Sequence, residues 1–187
     1  MEQEIQQCVE LLQAGKVILY PTDTVWGIGC DATNAEAVQH IYDIKQRQES
    51  KSMLILLDRE DKLPLYVERI PLIAWDLVSF TDRPTTFIYP KAKNLPGIMT
   101  GPDGSIAIRL VKSGFCQQLL KAFGKPIVST SANISGTPAP STFADISPTV
   151  IERMDHVVPK NFDESTSVRP SRIIKLMDDY NFTIVRE

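Results

Sequence analysis

Residues 16–45 read KVILYPTDTVWGIGCDATNAEAVQHIYDIK, and this stretch decides the fold. Lys16-Val17-Ile18-Leu19-Tyr20 is an apolar run of strand length, stopped by Pro21, which has no N–H to give to a sheet ladder. A polar turn, Thr22-Asp23-Thr24, leads into Val25-Trp26-Gly27-Ile28-Gly29-Cys30. This second strand-like run carries two glycines that let another chain or a ligand approach the backbone. Thr33-Asn34-Ala35-Glu36 has the spacing of a capping box, and Val38, Ile41, Tyr42 and Lys45 continue a helix behind it. Strands and a helix therefore alternate within a few turns of chain, which predicts a mixed α-and-β architecture rather than a bundle or a sandwich.

The same reading extends in both directions. Upstream, Ile5, Cys8, Val9 and Leu12 share a helical face and Gly15 stands where a left-handed cap is usual, so residues 3–14 read as a helix. Downstream, residues 52–57, 85–89, 105–110 and 126–130 read as strands. Residues 71–80, with Pro71 in the first turn, and residues 113–124, closed by Gly124, read as helices. On the first of these, Trp75 and Phe80 are expected to be buried. Residues 131–141, SANISGTPAPS, form a loop leaving a strand end, and Ser147-Pro148 opens a short helix. Residues 171–177 and 182–186 form a hairpin across Asp178-Asp179-Tyr180-Asn181, read as a solvated turn. With no repeat and no linker, residues 1–187 are expected to form one domain around an open sheet.

The composition narrows the function classes. Hydrophobic residues make up 43% and charged residues 23% of the 187, ordinary values for a compact soluble chain. The net charge of −3 supplies no global field for sequence-independent nucleic-acid binding, so any polyanion must be held by a local patch. The N-terminus is acidic where a secretory signal needs bases, and no apolar run is long enough to span a bilayer. The expected address is the cytoplasm, with no membrane partner. Cys8, Cys30 and Cys116 lie too far apart for a knuckle and read as buried thiols.

Little in the chain announces catalysis. His40 and His156 have no metal-site neighbours in sequence and no triad partners, so no metal ligand is assigned. The glycine-rich phosphate loops of the familiar nucleotide folds are missing. What remains is a pair of polar constellations. Lys45-Gln46-Arg47-Gln48-Glu49-Ser50-Lys51 ends a helix with three cations, which either meet the helix dipole or grip a triphosphate; the cluster alone decides neither. Ser129-Thr130-Ser131-Ala132-Asn133 places hydroxyls and an amide at a strand's C-terminal end, where open sheets bind ligands.

Taken in order, several segments resemble the Sua5/YrdC/YciO family: PTDTVWGIGCDATNAEAVQHIYDIKQR (21–47), RPTTFIYP (83–90), SIAIRL (105–110), PIVSTSANISGTPAPST (126–142), STSVRPSRII (165–174) and IVRE (184–187). The resemblance covers nearly the whole chain. It implies an α+β, three-layer α/β fold of YrdC/RibB-like type, a twisted open mixed β-sheet flanked by helices, with a large concave face. It implies L-threonylcarbamoyladenylate synthesis, in which L-threonine, bicarbonate and ATP give threonylcarbamoyl-AMP and pyrophosphate on the way to the modification of tRNA adenosine 37. By motif it assigns a catalytic set of Lys45, Arg47, Ser131 and Asn133. ATP falls to Arg47, Lys51, Thr86, Ser131, Asn133 and Arg186, and threonine to Thr24, Arg109, Ser129 and Ser165. ATP is a substrate, and Mg2+ is expected to bridge its phosphates.

The chain also departs from the family pattern. Lys51-Ser52 replaces Asn-Pro, Leu56 replaces a histidine, Leu110-Val111 replaces Val-Pro, and Ala139 stands where a serine commonly contacts the nucleotide. The chain ends shortly after Arg186, as in the short members that rely on transient contacts with tRNA or other tRNA-modification proteins. Two rivals stay open: a noncatalytic module for double-stranded RNA, and a YciO-like paralogue with another substrate. Oligomeric state and the catalytic base are not legible.

Overall fold

The computed structural model describes residues 1–46, 53–163 and 169–187. Among these, β1 (Ile18–Tyr20), β2 (Gly27–Gly29), β3 (Leu54–Leu57), β4 (Thr85–Tyr89), β5 (Ile106–Leu110), β6 (Ile127–Ser131), β7 (His156–Val157), β8 (Arg172–Leu176) and β9 (Phe182–Arg186) make one sheet. Its order is β7-β1-β2-β6-β3-β5-β4-β8-β9. The pairs β1/β7, β3/β5 and β4/β8 are parallel and the rest antiparallel, so the sheet is mixed and open, as expected for an α+β fold.

The helices follow their sequence signals, with two corrections. In α1 (Glu2–Gln13) the buried residues are Ile5, Cys8, Val9 and Leu12, and Gly15 follows at φ 72°, a conformation that costs glycine nothing. α2 (Ala35–Lys45) is capped by Asn34, whose Oδ1 accepts the Glu36 and Ala37 N–H groups. Thr33 therefore does not cap it. Its N–H and hydroxyl both go to the Asp31 carboxylate, which leaves Asn34 as the residue at the helix entrance.

After the short α3 (Leu63–Tyr66), α4 (Leu72–Phe80) is apolar nearly all round but turns only Ala74 and Val78 fully inward. Trp75 is 36% and Phe80 85% exposed, contrary to the expected burial, because those two inward residues define the packed face and the helix lies at the edge of the core. α5 (Gly114–Phe123) buries Phe115, Cys116, Leu119, Leu120 and Phe123 and ends on Gly124 at φ 77°. It packs against α1 and β3. α6 (Pro148–Ile151) is the short helix expected at Ser147-Pro148. No helix among the described residues is long and apolar enough to cross a membrane.

Register determines what the sheet offers on each face. Successive side chains alternate, and residues directly opposite each other point the same way. Ile106 and Ile108 of β5, with Phe87 and Tyr89 of β4, enter the core. The intervening positions run along the other face: Gly27 opposite Ser131, Leu54 opposite Ser129, Leu54 opposite Ala107, and Thr86 opposite both Arg109 and Ile173. Ser131, Ser129, Thr86 and Arg109 put polar groups into that row, where a buried strand is usually apolar.

Candidate functional site

The polar row lines a cavity of about 300 Å3, closed on one side by Thr22, Thr24 and Trp26 and on another by Pro170, Ser171 and Arg186. Of the residues singled out from sequence, Thr24, Thr86, Arg109, Ser129, Ser131 and Arg186 share this hollow. Arg47, Lys51 and Ser165 lie outside the described residues.

Arg109 is the buried charge of the site, 3% exposed at the centre of the sheet. One of its terminal nitrogens lies 3.0 Å from the Asp23 carboxylate and 3.4 Å from the Thr22 hydroxyl, while its buried Nε has no acceptor. Asp23 thus does more than shape the turn, since it braces Arg109 from the rim. The Thr22 hydroxyl lies 3.1 Å from that of Thr24, donates to the Val25 carbonyl at 2.7 Å and accepts the Thr24 N–H. This net fixes Pro21-Thr22-Asp23-Thr24 as a rigid lip.

A second cation enters from the far edge of the sheet. Arg186 donates through Nε and a terminal nitrogen to the Ser171 carbonyl at 3.1 and 2.7 Å, and the Ser171 hydroxyl lies 2.7 Å from that of Thr86. Burial, and then the positive charge of Arg109, push the Arg186 guanidinium below its usual range. Two arginines facing one hollow repel each other; Asp23 offsets Arg109 from outside the lining, and the described lining itself holds no carboxylate. An anion placed there relieves that repulsion and meets a ring of hydroxyl donors. Thr22 and Ser171 received no role from sequence, although both stand inside the quoted segments.

Lys45 and Asn133 meet behind the cavity. The Lys45 ammonium, on a residue 1% exposed, donates to the main-chain carbonyls of Ser131 (2.5 Å) and Asn133 (2.7 Å) and to Asn133 Oδ1 (3.2 Å). The Ser131 hydroxyl donates to the same Oδ1 at 2.6 Å, Asn133 Nδ2 donates to the Thr137 carbonyl, and the Ser135 N–H returns to the Lys45 carbonyl. The end of α2 and the 131–137 loop are one hydrogen-bonded unit.

The departures from the family pattern separate by position. Leu56 and Val111 are fully buried and do not line the cavity, whereas Ala139 does. Trp26 forms a wall: its indole N–H donates to Asp163 at 2.7 Å and its ring meets Phe143 edge-on, with centroids 4.7 Å apart.

Residues 10–187 match the Sua5/YciO/YrdC family, described as telomere recombination. The threonylcarbamoyl-AMP synthase of Pseudoalteromonas translucida (strain TAC 125) is 35% identical over 177 residues, 93% of this chain and 94% of that protein. P. abyssi Sua5, solved in complex with L-threonine, superposes with a TM-score of 0.90 at 26% identity, covering all of this chain but 54% of the other. The present chain thus spans about half the length of that structure. E. coli YciO superposes with a TM-score of 0.85 at 27% identity, over all of this chain and 90% of the other.

Proposed function

The chain belongs to the Sua5/YciO/YrdC family, and from that premise we propose that it is an L-threonylcarbamoyladenylate synthase working as a single domain in the cytoplasm, with L-threonine, bicarbonate and ATP as substrates. The observation that carries this reading is the pairing of Arg109 and Arg186 in one hydroxyl-lined hollow without a carboxylate in its described lining. Such a hollow suits an amino-acid carboxylate, a carbamate and phosphates, which must be held close together for the reaction to occur.

Arg109 takes the threonine carboxylate through the part of its guanidinium that lines the cavity, and Thr24, Ser129 and Ser165 surround the rest of the amino acid. The threonine nitrogen bonds to the bicarbonate carbon with loss of water, giving a carbamate. A carbamate oxygen then bonds to the α-phosphorus of ATP, the bond from that phosphorus to the β-bridging oxygen breaks, and pyrophosphate leaves. Arg47, Lys51, Thr86, Ser131, Asn133 and Arg186 hold the phosphates and neutralise the charge that builds up on them. Lys45 fixes the loop that presents Ser131 and Asn133. Magnesium brought with the nucleotide would neutralise phosphate charge there, and the described lining would offer it the hydroxyls of Thr86 and Ser131. The product passes to the tRNA-modification proteins that complete the transfer.

The test is pyrophosphate release with threonine, bicarbonate and ATP, each omitted in turn, repeated for Lys45→Ala, Arg109→Ala and Ser131→Ala. Dependence on all three substrates, lost in the variants, is expected. Turnover that ignores threonine would overturn the reading and favour a YciO-like activity. Tight RNA binding without turnover would favour the noncatalytic module instead.

A further inference from the structure

Away from the cavity, the fold assembles a group of side chains that their positions in sequence do not connect. Glu4 and Cys8 are four residues apart on α1, so both point the same way. His156 comes from β7, held beside β1 in register with Ile18 and anchored by the Asp155 N–H on the Val17 carbonyl and the Val158 N–H on the Leu19 carbonyl. His156 Nε2 lies 2.6 Å from Glu4 Oε1, and the Cys8 thiol donates to the same oxygen at 3.8 Å. One ligand atom from each residue lies within 4.8 Å of the other two.

We propose that Glu4, Cys8 and His156 form a binding site for a divalent transition metal of the zinc class, clasping α1 to the edge of the sheet. The donor set is one thiolate, one imidazole and one carboxylate, the combination that suits Zn2+ and Co2+ rather than Mg2+ or Ca2+. Tetrahedral bonds of about 2.0–2.3 Å place ligand atoms roughly 3.3–3.8 Å apart, so a cation between these three requires shifts of about 1 Å or less. The surroundings are partly dry: Cys8 is fully buried, and the Glu4 and His156 side chains are 13% and 18% exposed, so a fourth ligand would come from solvent.

In the metal-free protein the Cys8 thiol keeps its proton, which it donates to the Glu4 carboxylate. Binding replaces that proton. The S–H bond breaks and its proton goes to solvent as a metal–sulfur bond forms; the hydrogen bond between Glu4 and His156 opens, the Nε2 proton that faced Glu4 leaves to solvent while Nδ1 carries the ring's remaining proton, and the freed Nε2 lone pair goes to the metal. None of the three residues lines the substrate cavity, so the site is independent of the proposed reaction.

Titration of the metal-free full chain with Co2+, followed by absorption, tests the site, with Zn2+ competition and calorimetry alongside. Expected are one tight equivalent, a cobalt–thiolate charge-transfer band that Zn2+ abolishes, proton release on binding and a higher melting temperature. Cys8→Ser removes the band. Glu4→Gln and His156→Gln weaken binding by more than the roughly 10–100-fold that losing a supporting partner alone would cost. Glu4→Gln nearly preserves shape and keeps the test meaningful if Cys8→Ser does not fold. Pyrophosphate release by Glu4→Gln stays at the parental level. A titration without the band, or a band that survives both Glu4→Gln and His156→Gln, would sink the proposal.

Discussion

The Lys45 ammonium lies 2.7 Å from the main-chain carbonyl of Asn133, so a cation that sequence places at a helix end braces a loop from beneath. A buried lysine that loses its partners is costly, and so are the carbonyls it leaves behind, at about 1–3 kcal/mol for each unsatisfied group. Lys45→Ala is expected to destabilise the fold by a few kcal/mol as well as remove activity. Calorimetry should show a fall in melting temperature of several degrees. Lys45→Ala with an unchanged melting temperature would mean that the ammonium does not brace the loop.

Asp23 and Arg109 lend themselves to a double-mutant cycle. Breaking one side of a buried pair leaves the other charge uncompensated, typically at about 3–5 kcal/mol, and the partial exposure of Asp23 places this pair at or below the lower end. Asp23→Asn keeps Arg109 in place but loosens its aim, so KM for threonine should rise more than kcat falls. Arg109→Lys cannot reproduce the planar fork and should lose most activity. Equal effects on threonine and ATP from Asp23→Asn would show that Asp23 does not act through Arg109.

The reading from sequence succeeded where periodicity and punctuation coincide. β4, β5 and β6 lie within a residue of their expected bounds because apolar runs are closed by Pro, Gly or polar turns. β7, at two residues, carries no periodic signal and exists only through its pairing with β1. In the site, the residue types were visible because hydroxyls and charges interrupt strands that should be apolar. Their partnerships were not, because the contact between Lys45 and Ser131 spans 86 residues and that between Glu4 and His156 spans 152. Trp75 and Phe80 misled because hydrophobicity identifies a helix that can pack, and not which of its faces does.

The two glycines of β2 separate stability from binding. A Cβ on Gly29 would meet the Val128 carbonyl at 2.5 Å and the Tyr20 ring at 2.6 Å, contacts that neither backbone nor a buried ring can relieve. Gly29→Ala is expected to cost roughly 1–3 kcal/mol or more through overpacking. At Gly27 the nearest atoms are the Ser129 hydroxyl at 3.1 Å and the Thr22 methyl at 3.3 Å, and both residues line the cavity. Gly27→Ala should therefore fold with a small loss of melting temperature but bind threonine more weakly. Melting curves and KM values for the two variants should rank in opposite order.

Alkaline pH provides a test of the buried thiols. Cys8 is pushed up to about 12, and Cys30 and Cys116 are raised further, in each case mainly by burial. Near pH 9 the unfolded chain loses these protons while the folded chain keeps them, so the native state binds more protons and stability falls as pH rises. The loss begins at the ordinary thiol value and for Cys8 continues until about pH 12. Each thiol contributes a slope of up to about 1.4 kcal/mol per pH unit, and below pH 8 the three contribute none. Denaturant titrations between pH 8 and 11 should show this decline, and Cys30→Ala should make it shallower whatever its effect at pH 7. Alkylation at pH 8 should label all three cysteines only after unfolding. A parental slope in Cys30→Ala, or rapid labelling of the native chain, would contradict the burial that places these thiols in the core.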